Sequence, residues 1–549
     1  MAFLRKKILH GSTYYYYVEK QRVNGKPVDK THIYLGTADE ILNKVKNNNT
    51  NTPVVLKSFD YGKIAALLAI DEELGFRQIV DNATSKRKVN ALSIGDLLLI
   101  AIFGRWIGKL SKSASRYFSD SFLAFGRTFP SKVNAENIIS SMDYLDKDAI
   151  SSIELGLAKK LVEKGMMPDM LVLDAINNYT FIEHGEEIPQ KGKSKQERYS
   201  KNLIGLGMAV TGENIPFMHT AIENTSDSTL FNKVIDEIIL RLREMKVNSE
   251  GLALVMDKGN NSDGNIKAMQ GKIKVLGSLK KNQVKDLMEV PETEFRPLYT
   301  TDNGTQISGF SRVINIYGKE YKVVVSMNPS TRKKEIKKYE ESKLKILDKL
   351  KEIEISMNKS GKGRHVTASS AIKKAVKAVY PQYASIIRYE VTEGEKGKEF
   401  RYWIDSEAER EYKREAGKLA LFTDIDDWNE EKIVKTYNRK VFIENDFHWL
   451  KDKVLMPLTP VWHRIDKHIV AHVFICVMGL FFVRYISNKL KDLNITDERI
   501  FEELSKIRVD IVSGKDLKNP EVIIEPMNSI GAMIFSKLDL GRYLKGDYF

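Results

Sequence analysis

The chain has 549 residues, room for about two to four domains, each with its own core. Its 42% hydrophobic and 9% aromatic content excludes a disordered chain, and its single cysteine, Cys476, excludes an intrachain disulfide framework and a cysteine zinc site. With 87 Lys and Arg against 73 Asp and Glu, the net charge of +14 suits a polyanionic partner, nucleic acid before an anionic membrane surface.

Residues 1–53 read as an N-terminal β-hairpin module and linker. Tyr14–Val18 is a tyrosine-rich strand, Asn24-Gly25-Lys26-Pro27 a turn, and Thr31–Leu35 a returning strand. Interleaved Lys, Arg and Tyr suit a nucleic-acid accessory module and an ordinary hairpin equally. The opening MAFLRKKILHG has no apolar run of signal-peptide length, so an intracellular location is expected. Residues 54–168 read as a helical DNA-binding domain, with helices over Tyr61–Leu74 and Ile94–Leu110. Arg105, Lys109, Lys112 and Arg116, with Trp106, Tyr117 and Phe118 among them, form a basic rim for DNA or a helical surface with snorkelling cations.

Residues 169–281 change character. Met170–Asp174 is an apolar strand ending in an acid. Asn202–Val210 and Ile215–Ile222 are two more strands joined by a Thr211-Gly212-Glu213-Asn214 turn, and a helix follows over Ser228–Met245. Leu252–Asp257 is a second apolar strand ending in an acid, followed by a helix (Gly264–Met269) and a strand (Ile273–Leu279). The fold class is therefore α/β, with the strand and helix order of a ribonuclease-H-like mixed sheet, in which functional side chains gather at strand ends. Lys280 and Lys281 at the last strand end, and Lys193, Lys195, Arg198 and Lys201 after the first, are candidate DNA contacts; a solvated charge run reads the same way.

Residues 282–418 interrupt this core as a β-rich and helical insertion. Its long helix, Arg332–Met357, repeats Ile336, Tyr339, Ile346, Leu350, Ile353 and Met357 at near-heptad spacing, suited to a second helix at Ser369–Val379 or to another subunit. Residues 419–490 resume the core, starting with a strand over Lys418–Thr423, and residues 491–549 form a C-terminal tail, a candidate dimerisation region. Val473–Val483 is apolar but shorter than the roughly 20 residues a membrane span needs, so a buried core helix is expected.

Tyr437–Lys451 contains no Gly or Pro and reads as one helix. Helical spacing puts Tyr437, Lys440, Glu444, His448 and Lys451 on one stripe, either a solvated face or a carboxylate set among phosphate-binding groups. Asp174 and Asp257 on neighbouring strands, with Glu444 on a helix beside them, would repel one another and need a cation. Oxygen ligands suit Mg²⁺ or Mn²⁺, which supports phosphodiester displacement. Of the nine histidines, His184, His219, His448, His463 and His472 show no zinc spacing such as HExxH, and among these His448 shares the Glu444 stripe.

These residues resemble the DDE transposases of bacterial and archaeal insertion sequences, in particular the IS-four superfamily and its branch with a tyrosine-rich N-terminal hairpin. Leu173-Asp174 with Phe181 resembles the first catalytic block and Val255-Met256-Asp257-Lys258-Gly259 the second; Tyr437, Glu444 and Lys451 fit the third, Y-x2-R-x3-E-x6-K. Pro460–Arg464 and Ile469–His472 are similar to the segment after it. There are departures: Lys440 holds the arginine position with Arg439 one place early, Ile176 stands where a Thr is usual, and Asn260 replaces an aromatic. The resemblance implies catalytic, metal-holding Asp174, Asp257 and Glu444, with Mg²⁺ as cofactor and Mn²⁺ able to substitute. It implies DNA contacts at Tyr437, Arg439, Lys440, His448 and Lys451. The partners would be double-stranded DNA, as transposon ends and target, and a second copy in a homodimeric synaptic complex, with no membrane. The location would be the cytoplasm, at the nucleoid. A catalytically inactive DNA-binding descendant and another ribonuclease-H-like nuclease remain as alternatives.

Overall fold

A computed structural model describes residues 2–9, 12–23, 26–47, 54–107, 134–183, 185–191, 201–222, 227–247, 252–257, 259, 261–358, 367–394, 397–451, 458, 461, 463–513 and 521–544. The N-terminal unit is a three-stranded antiparallel sheet, β1 (Ala2–Leu9), β2 (Ser12–Val23) and β3 (Lys26–Thr37), followed by α1 (Ala38–Asn47). The sequence marked two of these strands, by the tyrosine run and the Asn24-Gly25 turn; β1 carries neither signal. Next come β4 (Val54–Asp60), α2 (Gly62–Leu74), α3 (Phe76–Ala83), α4 (Ile94–Trp106), α5 (Ala135–Ser141) and α6 (Lys147–Glu163).

The central sheet begins with β5 (Met170–Thr180), β6 (Asn202–Thr211) and β7 (Pro216–Ile222). After α7 (Asp227–Glu244) come β8 (Ala253–Met256), α8 (Asp263–Met269) and β9 (Lys274–Ser278). β5, β6 and β7 are antiparallel neighbours, whereas β8 runs parallel to β5, and β9 parallel to β8. This is the mixed, ribonuclease-H-like order expected from the sequence. Parallel neighbours need a crossover connection, and α7 and α8 supply it.

The segment 282–418 departs from expectation in one respect. Its β-rich part, β10 (Arg296–Thr300), β11 (Gln306–Ile316) and β12 (Lys319–Met327), extends the central sheet. β15 (Lys418–Thr423) pairs with both β9 and β12, giving nine strands in the order β10-β11-β12-β15-β9-β8-β5-β6-β7. Without β12, the outer edge of β15 would present unpaired backbone groups. The rest of the segment has its own core: α9 (Pro329–Asn358), α10 (Ala368–Ala378), the hairpin β13 (Ile387–Gly394) and β14 (Gly397–Ile404), and α11 (Ser406–Glu415). Tyr339, Ile346, Leu350 and Ile353 of α9 share that core with Ala371, Ala375 and Ala378 of α10, whose small side chains let the helices approach. Lys343, which breaks the heptad pattern, pairs instead with Glu409 of α11 at 2.9 Å.

The chain continues through α12 (Glu430–Asn438), α13 (Val441–Lys451), α14 (Asp466–Lys489), α15 (Asp497–Lys506), β16 (Arg508–Ser513), β17 (Glu521–Ile524) and α16 (Ser529–Lys537). α14 is apolar all round and long enough to cross a membrane, but 94% of its most apolar window is buried inside the protein, as a core helix should be. It packs on α4, and both belong to the largest buried cluster. β16 pairs with β4, so the C-terminal residues join the helical part of the chain.

Alternation divides the central strands between two cores. Met170, Val172, Ala253 and Val255 face the cluster that holds α12, α13 and α14, while Leu171, Leu173, Leu254 and Met256 face the one that holds α7 and α8. Gly277 of β9 lies beside Met256, and a Cβ there would stand 2.6 Å from the buried Phe422 ring. Gly277→Ala is therefore expected to destabilise the protein by about 1–3 kcal/mol, seen as a lower urea midpoint; an unchanged midpoint would show that the Phe422 ring yields freely.

Candidate active site

β5 and β8 run parallel with Leu173 opposite Met256. Continuing that register by one residue brings Asp257, just past the end of β8, level with Asp174, which lies inside β5: the strand runs on to Thr180 through its pairing with β6 and does not end at the acid as the sequence suggested. Neighbouring strands lie about 4.8 Å apart, so the two acids are adjacent. The alternation that buries Val172 and Val255 under α12 and α13 also gives the two acids to that face. One Asp174 carboxylate oxygen accepts from the Ala175 backbone N–H at 2.7 Å.

The expected single helix over Tyr437–Lys451 is two helices, with a tight turn at Arg439-Lys440. The Arg439 and Lys440 N–H groups bond three residues back, to Thr436 and Tyr437. No Gly or Pro marks this break in the sequence. The Arg439 side chain points away from Glu444: its guanidinium donates to the Gly212 carbonyl and pairs with Asp169 at 3.6 Å, before the start of β5.

The break still delivers the third acid. Lys440 Nζ lies 3.2 Å from Asp257 Oδ1 and 3.4 Å from Glu444 Oε1, so one ammonium bridges both carboxylates. Burial works against the Lys440 charge, but Tyr437, Asp257 and Glu444 more than offset that and raise its pKa. The buried Tyr437 donates its hydroxyl to Asp257 Oδ1 at 3.3 Å, and burial raises the phenol pKa. The Asp257 and Glu444 side chains are 41% and 52% exposed, so the site opens to solvent. Among the described residues no three His, Cys, Asp or Glu side chains stand in a ligating cluster; Asp257 and Glu444 converge on Lys440 instead. Carboxylate oxygens such as those of Asp257 and Glu444 are the hard donors that suit Mg²⁺ or Mn²⁺.

The other expected contacts scatter. Lys280 is exposed just past β9, at the same sheet edge as the acids, while Lys281 bonds the Glu415 carbonyl at 2.7 Å. One turn beyond Glu444, the exposed His448 lines a cleft of about 660 Å³ with Gly212, Glu213, Arg484 and Lys491, none of them among the three acids. Lys451 closes α13. Lys193, Lys195, Arg198, His184, Lys258 and Asn260 lie outside the described residues, as do Lys109, Lys112 and Arg116 of the basic rim. Two rim residues are described, and both serve packing: Trp106 is buried and donates to the Gly479 carbonyl, and Arg105 contacts His472 at 3.2 Å. His472 is buried, with its other nitrogen 2.9 Å from the Leu458 carbonyl. The buried His219 pairs with Glu154, which also pairs with Arg241.

Sequence reasoning passed over Asp446, two residues beyond Glu444. It is fully buried and accepts from Arg484 Nε at 2.6 Å and from the Asn214 amide, fastening α13 to α14 and to the β6–β7 turn. Its apolar neighbours Phe447 and Leu450 were the available signal. Burial pushes the Asp446 carboxyl up to about 7 despite Arg484. A folded-state pKa above the unfolded 3.8 contributes stability that is full below 3.8 and lost as pH rises through about 7. Asp446→Asn should remove that slope, so that thermal denaturation shows the stability of wild type relative to the variant falling as pH rises from 4 to 7; parallel curves would show that Asp446 does not titrate in that window.

No curated protein matches this chain in sequence. A family model described as a transposase DDE domain matches residues 179–478, more than half of the chain. The match starts just past Asp174 and takes in Asp257, Glu444 and most of α14. An acid-bearing mixed sheet and a family match across most of that sheet agree, and the chain belongs to the transposase DDE domain family.

Proposed function

We propose that this protein is a cut-and-paste DNA transposase of the IS-four superfamily, cleaving DNA at transposon inverted-repeat ends and joining the freed ends to a target. The observation that carries this reading is the meeting of Asp257 and Glu444 at one ammonium, with Asp174 on the adjoining strand. Mg²⁺, or Mn²⁺ in its place, held by Asp174, Asp257 and Glu444 would activate the attacking oxygen and stabilise the leaving one in phosphodiester displacement.

The remaining groups serve substrate and geometry. Tyr437 orients Asp257 through its hydroxyl hydrogen bond. Lys440 neutralises the acids in the absence of substrate and is close enough to turn its charge to a phosphate bound there. Lys280, on the same sheet edge, and Lys451, at the end of α13, extend the basic track for the DNA backbone, and Lys193 and Lys195, outside the described residues, are further DNA contacts by the sequence reading. His448 contacts DNA from the neighbouring cleft. Arg439 serves by anchoring the turn that presents Lys440 and Glu444, since its guanidinium is engaged at Gly212 and Asp169. The protein works as a homodimer on paired ends, in the cytoplasm at the nucleoid.

A second reading, a catalytically inactive DNA-binding descendant, is favoured by the Lys440 ion pairs and by the departures at Ile176 and Asn260. Cleavage of DNA carrying the cognate inverted repeats separates the two. Wild type should nick it only with Mg²⁺ or Mn²⁺ present, and strand transfer should follow, which a simple nuclease would not perform. Asp174→Asn, Asp257→Asn and Glu444→Gln should each lower cleavage by about a hundredfold or more, while DNA affinity stays within about threefold of wild type. Full cleavage by any one of them removes that residue from the mechanism, and an inert wild type favours the inactive descendant.

A further inference from the structure

The N-terminal sheet carries a second, separate surface. Tyr14 and Tyr16 alternate along β2 and so share a face, and Tyr34 of β3 pairs directly across from Tyr16. The Tyr34 ring centroid lies 6.0 Å from that of Tyr14 and 5.3 Å from that of Tyr16. On the opposite flank, β1 sets Arg5 across from Tyr16 and Lys7 across from Tyr14. Cross-strand partners lie on the same face of a sheet, so the surface reads as a row of cations beside a cluster of tyrosines.

This cluster does not have the character of a small core. Tyr34 is 50% exposed, Lys7 is exposed, and none of the three tyrosines belongs to the protein's buried clusters. Residues 1–37 hold seven Lys and Arg against two acidic residues. The neighbouring Glu40 carboxylate accepts from the Thr37 N–H at 2.9 Å, while its own N–H donates to Thr37 Oγ1, so it is engaged at the start of α1.

We infer that this face binds single-stranded DNA, with unpaired bases stacked on Tyr14, Tyr16 and Tyr34 and phosphates along Arg5 and Lys7. Rings displayed on a flat sheet offer stacking to any base, and adjacent cations follow the backbone. Duplex DNA keeps its bases stacked on each other and gives such a face only phosphates. The site is independent of the three acids and stands whether or not they cut DNA.

The test is fluorescence anisotropy with the full chain, a labelled oligothymidylate about 15 nucleotides long and a duplex of equal length. Tyr34→Ala is expected to weaken single-strand binding by about tenfold, Tyr34→Phe to stay within about twofold, and both to leave duplex binding within about twofold. Lys7→Glu, at an exposed position, should weaken single-strand binding and make its salt dependence shallower. Unchanged single-strand affinity in Tyr34→Ala and Lys7→Glu overturns the proposal. So does an equal loss on duplex, or a Tyr34→Phe loss as large as that of Tyr34→Ala, which would put the phenol hydroxyl rather than the ring at work. Circular dichroism checks folding, and should Tyr34→Ala unfold the sheet, the Tyr34→Phe and Lys7→Glu results decide.

Discussion

The Lys440 ammonium, set between the Asp257 and Glu444 carboxylates, is the interaction on which the geometry of this site depends. The parallel register that sets Leu173 opposite Met256 brings Asp174, inside β5, and Asp257, just past β8, onto neighbouring stretches of chain. A like-charged pair at one sheet edge is stable only with a cation near it. Lys440 fills that need for Asp257, and the same ammonium draws in Glu444 from a helix nearly two hundred residues later in the chain. One ammonium thus holds the Asp257 and Glu444 carboxylates together.

Holding that arrangement takes a rigid frame, and the frame is apolar. α14 is buried along nearly its whole length against α4 and the face of the sheet that carries the acids. α13, which bears Glu444, is fixed to α14 through the buried Asp446–Arg484 pair and to the sheet through Phe447 and Leu450. A buried pair of this kind adds little net stability, because desolvation offsets most of the attraction, but it fixes one orientation of the helix. Arg439 performs a similar task one turn earlier, from the opposite end of β5. Glu444 is therefore held from two sides while its own carboxylate stays open to solvent.

Much of this was legible along the chain. Apolar strands leading into Asp174 and Asp257, the order of strands and helices, and the heptad face of α9 are local patterns that reappear in the fold, although the first strand runs past Asp174 to Thr180. The helix break at Arg439-Lys440 was not legible, since no Gly or Pro marks it and every residue from Tyr437 to Lys451 tolerates a helix. The addition of β10–β12 to the central sheet was hidden as well, because strand pairing across a hundred residues leaves no local trace. Trp106 and Arg105 looked like a nucleic-acid rim because composition cannot tell a cation facing solvent from one turned to His472.

The sequence by itself determined most of the core strands and helices, the α/β class and which three acids to compare, because those depend on residue type and on spacing within single elements. Only the tertiary structure decided that Lys440 is the group between Asp257 and Glu444, that Arg439 turns away to Asp169 and Gly212, and that Asp446 anchors rather than faces the site. The physical reason is that a charge is defined by its surroundings. Identical side chains one or two positions apart on a helix point to different neighbours, and those neighbours lie far away in the chain.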